Sequence, residues 1–171
     1  MKTRKAPAAG KRRPSWDCFF LSVLLFCAAL SNVTCHAQDH ERKNLTVAFL
    51  DGNGREACRF LAELSLTPTQ REQGLMFRTY MRRNTGMLFV EESDVMQNFW
   101  MKNTYIPLDI VFINGSYEVV HVHAGARPHD EKTISSRYPA RYVLEINAGE
   151  ARECSIRRGT KVQIGRISLK P

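Results

Sequence analysis

From Leu45 onward the chain alternates short apolar runs with clusters of Gly, Asn, Asp and Pro. That rhythm predicts a β-rich domain punctuated by turns. Leu45 to Leu50 reads as a first strand, closed by the turn Asp51-Gly52-Asn53-Gly54. Arg59 to Ser65 reads as its hairpin partner, with Phe60, Ala62 and Leu64 on one face. Thr67-Pro68-Thr69-Gln70 then predicts a helix start. Thr67 can cap, Pro68 suits the first helical position, and Gln70 completes a capping box. The helix is expected to reach about Leu75, with Gly74 near its end. So short a helix depends on docking rather than on propensity.

Gly86 to Val90 predicts a brief strand, and Leu108 to Ile113 a longer one. Asn114-Gly115 between two apolar runs is a strong hairpin signal, with Tyr117 to His123 returning. Ala124 to Ala140, holding Pro128 and Pro139, reads as a long irregular loop of the kind that often carries function. Tyr142 to Ile146 is a further strand, Gly149 to Cys154 one or two helical turns, and Gly159 begins a final strand pair. The fold class is α+β and mostly β: one compact barrel-like or curved antiparallel sheet with one or two short helices.

One segment breaks the pattern. Met96 to Ile113 sets Trp100, Lys102, Asn103, Thr104 and Asp109 into an otherwise apolar run. A strand buried on both faces is nearly continuous in Val, Ile and Leu. Each unpaired amide or hydroxyl buried there costs roughly 2–7 kcal/mol. The segment is therefore either an internally wired core or the floor of a binding site.

Composition changes the picture mainly at the N-terminus. Lys2, Arg4, Lys5, Lys11, Arg12 and Arg13 precede the apolar run Phe19 to Leu30, and Cys35-His36-Ala37 offers a cleavage site. Residues 1–37 thus read as a signal peptide, or as a membrane anchor if uncleaved, residues 38–44 as a tether, and residues 45–171 as the domain. A twin-arginine signal fits poorly with Pro14, Ser15 and Trp16, and a lipid attachment at Cys35 fits poorly with Asn32 and Thr34. The formal charge is +8, but the leader holds six basic residues and one acid, leaving 19 basic against 16 acidic residues. The basicity is an export feature and not a nucleic-acid footprint. The expected location is periplasmic or extracellular, with membrane contact only through the leader. Outside the leader the cysteines are Cys58 and Cys154. They form either one disulfide between the first strands and the C-terminal region or two separate buried thiols.

Four motifs in order carry a resemblance: Gln73-Gly74-Leu75-Met76-Phe77-Arg78, Gly86-Met87-Leu88-Phe89, Trp100-Met101-Lys102-Asn103-Thr104 with Pro107-Leu108-Asp109, and Tyr142-Val143-Leu144-Glu145 with Ala148-Gly149. From about Leu45 to Ser168 the chain resembles the domain of unknown function family 192. The resemblance implies a small, β-rich, barrel-like domain, typically exported in bacteria. It implies no activity and no catalytic residue. His121, His123 and His129 depart from what the resemblance leads one to expect.

Asp109 shares a strand face with Val111 and Ile113, so its carboxylate must be paired or protonated. Lys102 and Arg78 are candidate partners, as are turn amides around Asn103 and Thr104. Glu145 lies between Leu144 and Ile146. If it faces the same cavity as Asp109, the two form an acid/base pair; otherwise a salt bridge to Arg141 or Arg78 explains it. Arg78 can clamp a carboxylate of the protein or of a ligand, and Trp100 suits core or cavity wall. Met76, Met81, Met87, Met96 and Met101, with His121, His123 and His129, suggest a copper site in principle, although Met is also a common core filler. No nucleotide, zinc or nucleophile-elbow motif is present, so no cofactor is implied.

The leading functional expectation is a non-enzymatic binding or accessory module for a small-molecule or protein ligand. Its pocket would be lined by Arg78, Trp100, Lys102, Asn103, Thr104, Asp109 and Glu145. The alternatives are a hydrolase-like enzyme using Asp109 and Glu145, and a copper-binding protein using Met96, Met101, His121 and His123.

Overall fold

Apolar side chains on both faces of the central strands divide the interior into two hydrophobic clusters, and this division positions everything else. The computed structural model describes residues 43–165. The leader read over residues 1–37 lies outside the described residues, as does most of the tether. The elements are β1 (Asn44–Leu50), β2 (Glu56–Ser65), α1 (Pro68–Gln73), β3 (Thr85–Val95), β4 (Asn98–Phe99), β5 (Leu108–Ile113), β6 (Val119–Ala126), β7 (Ile134–Ser135), β8 (Ala140–Asn147), α2 (Glu150–Glu153) and β9 (Val162–Ile164). Seven strands form one sheet in the order β6-β5-β8-β3-β2-β1-β9, and β4 pairs with β7 separately.

The sheet is mixed, which corrects the antiparallel expectation: β2 and β3 run parallel. A parallel pair needs a crossover of a dozen or so residues, and the α1 segment between these strands supplies it. The sheet curls until its outer strands meet at one end. Glu118 bridges to Lys161, Val119 N–H donates to the Thr160 carbonyl at 2.9 Å, and Val162 N–H donates to the Tyr117 carbonyl at 2.9 Å. The barrel is not closed. The final strand pair expected from Gly159 is this bridge plus the single strand β9.

The first cluster draws on all seven strands, with Val47, Phe60, Leu88, Val111, Val119, Leu144 and Val162 among its members. Burial of each large apolar side chain contributes roughly 1.5–3 kcal/mol. Phe49 and Phe60 meet edge to face at 5.9 Å. Beside this cluster Cys58 and Cys154 form a disulfide with Cα atoms 5.7 Å apart, spanning 96 residues. The second cluster uses the opposite face of β3, β5 and β8: Met87, Phe89, Ile110, Phe112 and Val143 pack against Leu75, Met81, Met101, Ile106 and Ile134.

The capping box is present as read. Thr67 Oγ1 accepts from Gln70 N–H at 3.2 Å, and Gln70 Oε1 accepts from Leu66 and Thr67 N–H at 3.0 and 3.1 Å. The helix ends at Gln73, short of Leu75, because Gly74 turns to a positive φ of 48°. A Cβ at Gly74 would lie 3.3 Å from the Phe89 ring, so the helix exit presses onto β3. Strand β3 runs beyond Val90 through exposed polar residues, where hydrophobic alternation gives no signal. Strand β6 begins and ends later than read because Asn114 Oδ1 accepts from Ser116 and Glu118 N–H and widens the turn. It extends to Ala126, and β7 also falls inside the expected 124–140 loop.

Candidate functional site

Glu145 stands on β8 directly opposite Ile110 of β5 and Met87 of β3. Opposed residues on neighbouring strands project to the same face, so Glu145 points to the side of the second cluster. Gly86 lets the strands close around it, since a Cβ there would sit 2.4 Å from the Glu145 carbonyl oxygen. The Glu145 side chain opens on a cleft of about 340 Å³, within the size range of small-molecule sites.

The helix exit forms one wall of the cleft with Arg71, Gly74, Leu75 and Met76. Phe89 and Glu91 of β3 line it further, as do Gln97, Asn98, Phe99, Trp100 and Thr104 from the segment that broke the sequence pattern. Phe89 and Phe99 meet edge to face at 5.1 Å. Gln97 is anchored by its N–H to Ser136 Oγ at 3.0 Å and its Nε2 to the Ala140 carbonyl at 3.2 Å. Arg71 is committed as well: it donates to the Leu66 carbonyl at 2.6 Å and pairs with Glu91 at 3.1 Å.

Of the charged groups lining the cleft, only Glu145 is buried, at 5% exposure. No described residue hydrogen-bonds or ion-pairs with its carboxyl, and desolvation pushes its pKa up to about 8. A group in that state holds its proton at neutral pH until something compensates the charge.

Asp109 is built the opposite way. It pairs in register with Ile146, one position along from the Ile110–Glu145 pair, so it projects to the first cluster's side. Its oxygens accept from Gly125 N–H at 2.8 Å, Gly149 N–H at 2.8 Å and Ala151 N–H at 3.0 Å. Helix α2 has no side-chain cap of its own at Gly149; Asp109 supplies that role from β5. The expected acid/base pair is therefore corrected, because the two carboxylates lie on opposite faces of the sheet. The expected Asp109 partners are corrected too: backbone amides from β6 and α2 hold it, not Lys102, Arg78 or the Asn103–Thr104 turn.

The remaining expectations divide similarly. Trp100, Thr104 and Glu145 come together at the cleft, with Trp100 forming wall at 45% exposure. Arg78 clamps Glu63 through two bonds of 2.6 and 2.5 Å and does not line the cleft. The proposed pairing of Glu145 with Arg78 or Arg141 does not form, since Arg141 donates to the Glu91 carbonyl. Lys102 Nζ lies 5.1 Å over the Trp100 ring. Asn103 takes a positive φ of 54° and its carbonyl accepts from Phe77 N–H at 2.8 Å. Of the methionines, Met81, Met87 and Met101 are buried in the second cluster, Met76 lines the cleft and Met96 is exposed. His121 stacks on Phe112 and His129 contacts Tyr105. Among the described residues no three His, Cys, Asp or Glu side chains converge as a metal site.

Gln97, Asn98, Phe99 and Phe89 were not among the residues read as site-forming. The polar pair Gln97-Asn98 opens the same anomalous segment and was the available signal. The helix-exit residues Gly74, Leu75 and Met76 lay in one motif of the resemblance, but nothing local placed them at a cleft, because their place depends on the β2-to-β3 crossover.

Residues 48–164 match DUF192, described as an uncharacterized ACR. The chain belongs to DUF192. Two crystal structures are similar to this DUF192 domain. One, from Sinorhizobium meliloti 1021 and described provisionally as a transcription regulator, is 38% identical with a TM-score of 0.69, covering 72% of this chain and 95% of that one. The other, a protein of unknown function from Novosphingobium aromaticivorans DSM 12444, is 38% identical with a TM-score of 0.66, covering 70% of this chain and 84% of that one. No curated protein matches the chain.

Proposed function

We propose that this DUF192 domain is an exported, non-enzymatic binding module whose ligand is a small molecule held in the Glu145 cleft. One observation carries the reading: a buried carboxyl without a partner among the described residues opens onto a cleft lined by aromatic and polar groups. A structural acid would be paired, as Asp109 is. An unpaired one lowers stability and makes sense where a ligand completes it. Trp100, Thr104, Gln97 and Asn98 supply orientation, and Phe89 and Phe99 supply apolar contact. Export follows from the leader read in residues 1–37.

The stability and binding consequences of Glu145 should separate in one variant. Glu145→Leu is expected to raise the melting temperature by a few degrees, corresponding to about 1–2 kcal/mol. The same variant should lose the thermal shifts that soluble metabolites produce in the wild-type protein. If Glu145→Leu destabilises the protein, or if its ligand shifts match the wild type, the cleft is not the binding site. Cell fractionation of a C-terminally tagged chain tests export; retention of the full-length chain in the cytoplasm would refute that part.

A further inference from the structure

The cleft's charge inventory narrows the ligand class, granted that the cleft binds a small molecule at all. Among the described residues, Arg71, Glu72, Glu91 and Glu145 are the ionisable groups that line it. Arg71, the one cation, already donates to the Leu66 and Val90 carbonyls and pairs with Glu91. Glu72 is exposed and makes no ion pair with a described residue. The strands flanking Glu145 place Met87 and Ile110 beside it, which bring no charge. An anionic ligand would thus find the lining cation, Arg71, engaged, the Lys102 ammonium held over the Trp100 ring, and a buried carboxyl facing it. A cation would find a buried carboxyl with no partner among the described residues, and the attraction at a buried group exceeds that in water. The rings of Phe89 and Phe99 line the same space and their π-systems favour cations further; the Trp100 ring already carries Lys102 Nζ at 5.1 Å and offers the ligand apolar contact.

We propose that the cleft recognises an organic cation, an amine or guanidinium whose charged head pairs with Glu145 and whose hydrocarbon body lies against Phe89, Phe99 and Trp100. Binding then requires Glu145 to ionise, so the complex forms with release of the carboxyl proton. The proton leaves to buffer, and the ligand keeps its own charge. Because the free carboxyl titrates at about 8, release approaches one proton per ligand near neutral pH. Affinity should weaken roughly tenfold for each unit of pH below that range.

Calorimetric titration of the purified full-length protein tests this with three probes of similar shape: benzylguanidinium, benzyl alcohol and benzoate. The guanidinium is expected to bind at least about tenfold more tightly than the alcohol. Repeating the titration in buffers of different ionisation enthalpy should give the proton release directly, without any variant. Glu145→Gln, nearly isosteric, should weaken the guanidinium by about tenfold or more while leaving the alcohol unchanged. Preferential binding of the alcohol or of benzoate, or guanidinium binding without proton release, overturns the cation assignment and leaves the binding-module reading standing. Absence of binding by all three at millimolar concentration overturns both.

Discussion

The two faces of the sheet treat a buried carboxylate in opposite ways. On the first cluster's side, Asp109 accepts three backbone N–H bonds and ties β5 to the end of β6 and to α2. On the second cluster's side, Glu145 has no described partner and opens on a cleft. The strands are adjacent and the residues are one register position apart. What differs is what covers each face. The first face wraps around its own side chains, so a charge there must be satisfied internally. The second is covered by the helix exit and the 97–104 segment, which leave a gap. Burial alone therefore says little about a carboxylate's role; the direction in which its lone pairs find donors says more.

The comparison can be broken first at the staple. Removing the disulfide through Cys58→Ser with Cys154→Ser should lower stability by about 4 kcal/mol, given the 96-residue separation. Urea denaturation measures it, and a loss below about 1 kcal/mol would mean that the first face holds without the bond. Next comes Asp109→Ala, expected to remove roughly 3 kcal/mol because three amides lose an anionic acceptor. If its denaturation midpoint matches that of the wild type, Asp109 is not a structural clasp.

The effect that is smallest over any single pH unit separates the faces by pH. Glu145 has a folded pKa raised to about 8, above that of an unfolded glutamate. The native state therefore holds the proton more tightly. Its contribution to stability is complete below the unfolded value and is lost as pH rises through the folded one. Between about pH 5 and pH 8 the slope should reach at most about 1.4 kcal/mol per unit, downward with rising pH. Glu145→Gln should abolish that slope, as melting curves across the range would record. A slope that survives in the variant must be assigned to another group.

Local chemistry was legible in the sequence and long-range register was not. The capping box at Thr67 and Gln70, the first hairpin, and Asp109 sharing a face with Val111 and Ile113 all rest on contacts a few residues apart, and the structure has them. The parallel pairing of β2 with β3 depends on how the α1 crossover docks, which no local pattern encodes. The opposite facing of Asp109 and Glu145 depends on the β5–β8 register, set across more than thirty residues by the packing of both clusters. Trp100 shows the same limit: its polar neighbours signalled a special segment, but its place as a half-exposed wall of the cleft is a property of the assembled fold. Glu145 was marked by its presence in an otherwise apolar strand and in one motif of the resemblance, and its lack of a partner among the described residues is a property of the assembled fold.

The bridge between Glu118 and Lys161 bears on how this protein behaves in a crowd. An open seven-stranded sheet offers two edges, each able to recruit a strand from a neighbouring molecule. Here the outermost strands engage each other at one end, and the Lys161 ammonium, 2.7 Å from Glu118, sets a charge at the seam. Strand β9, the edge beyond β1, is only three residues long. Among the described residues little uncovered backbone is left at that seam, so the curl that shapes the interior also guards this end of the sheet against the addition of a foreign strand.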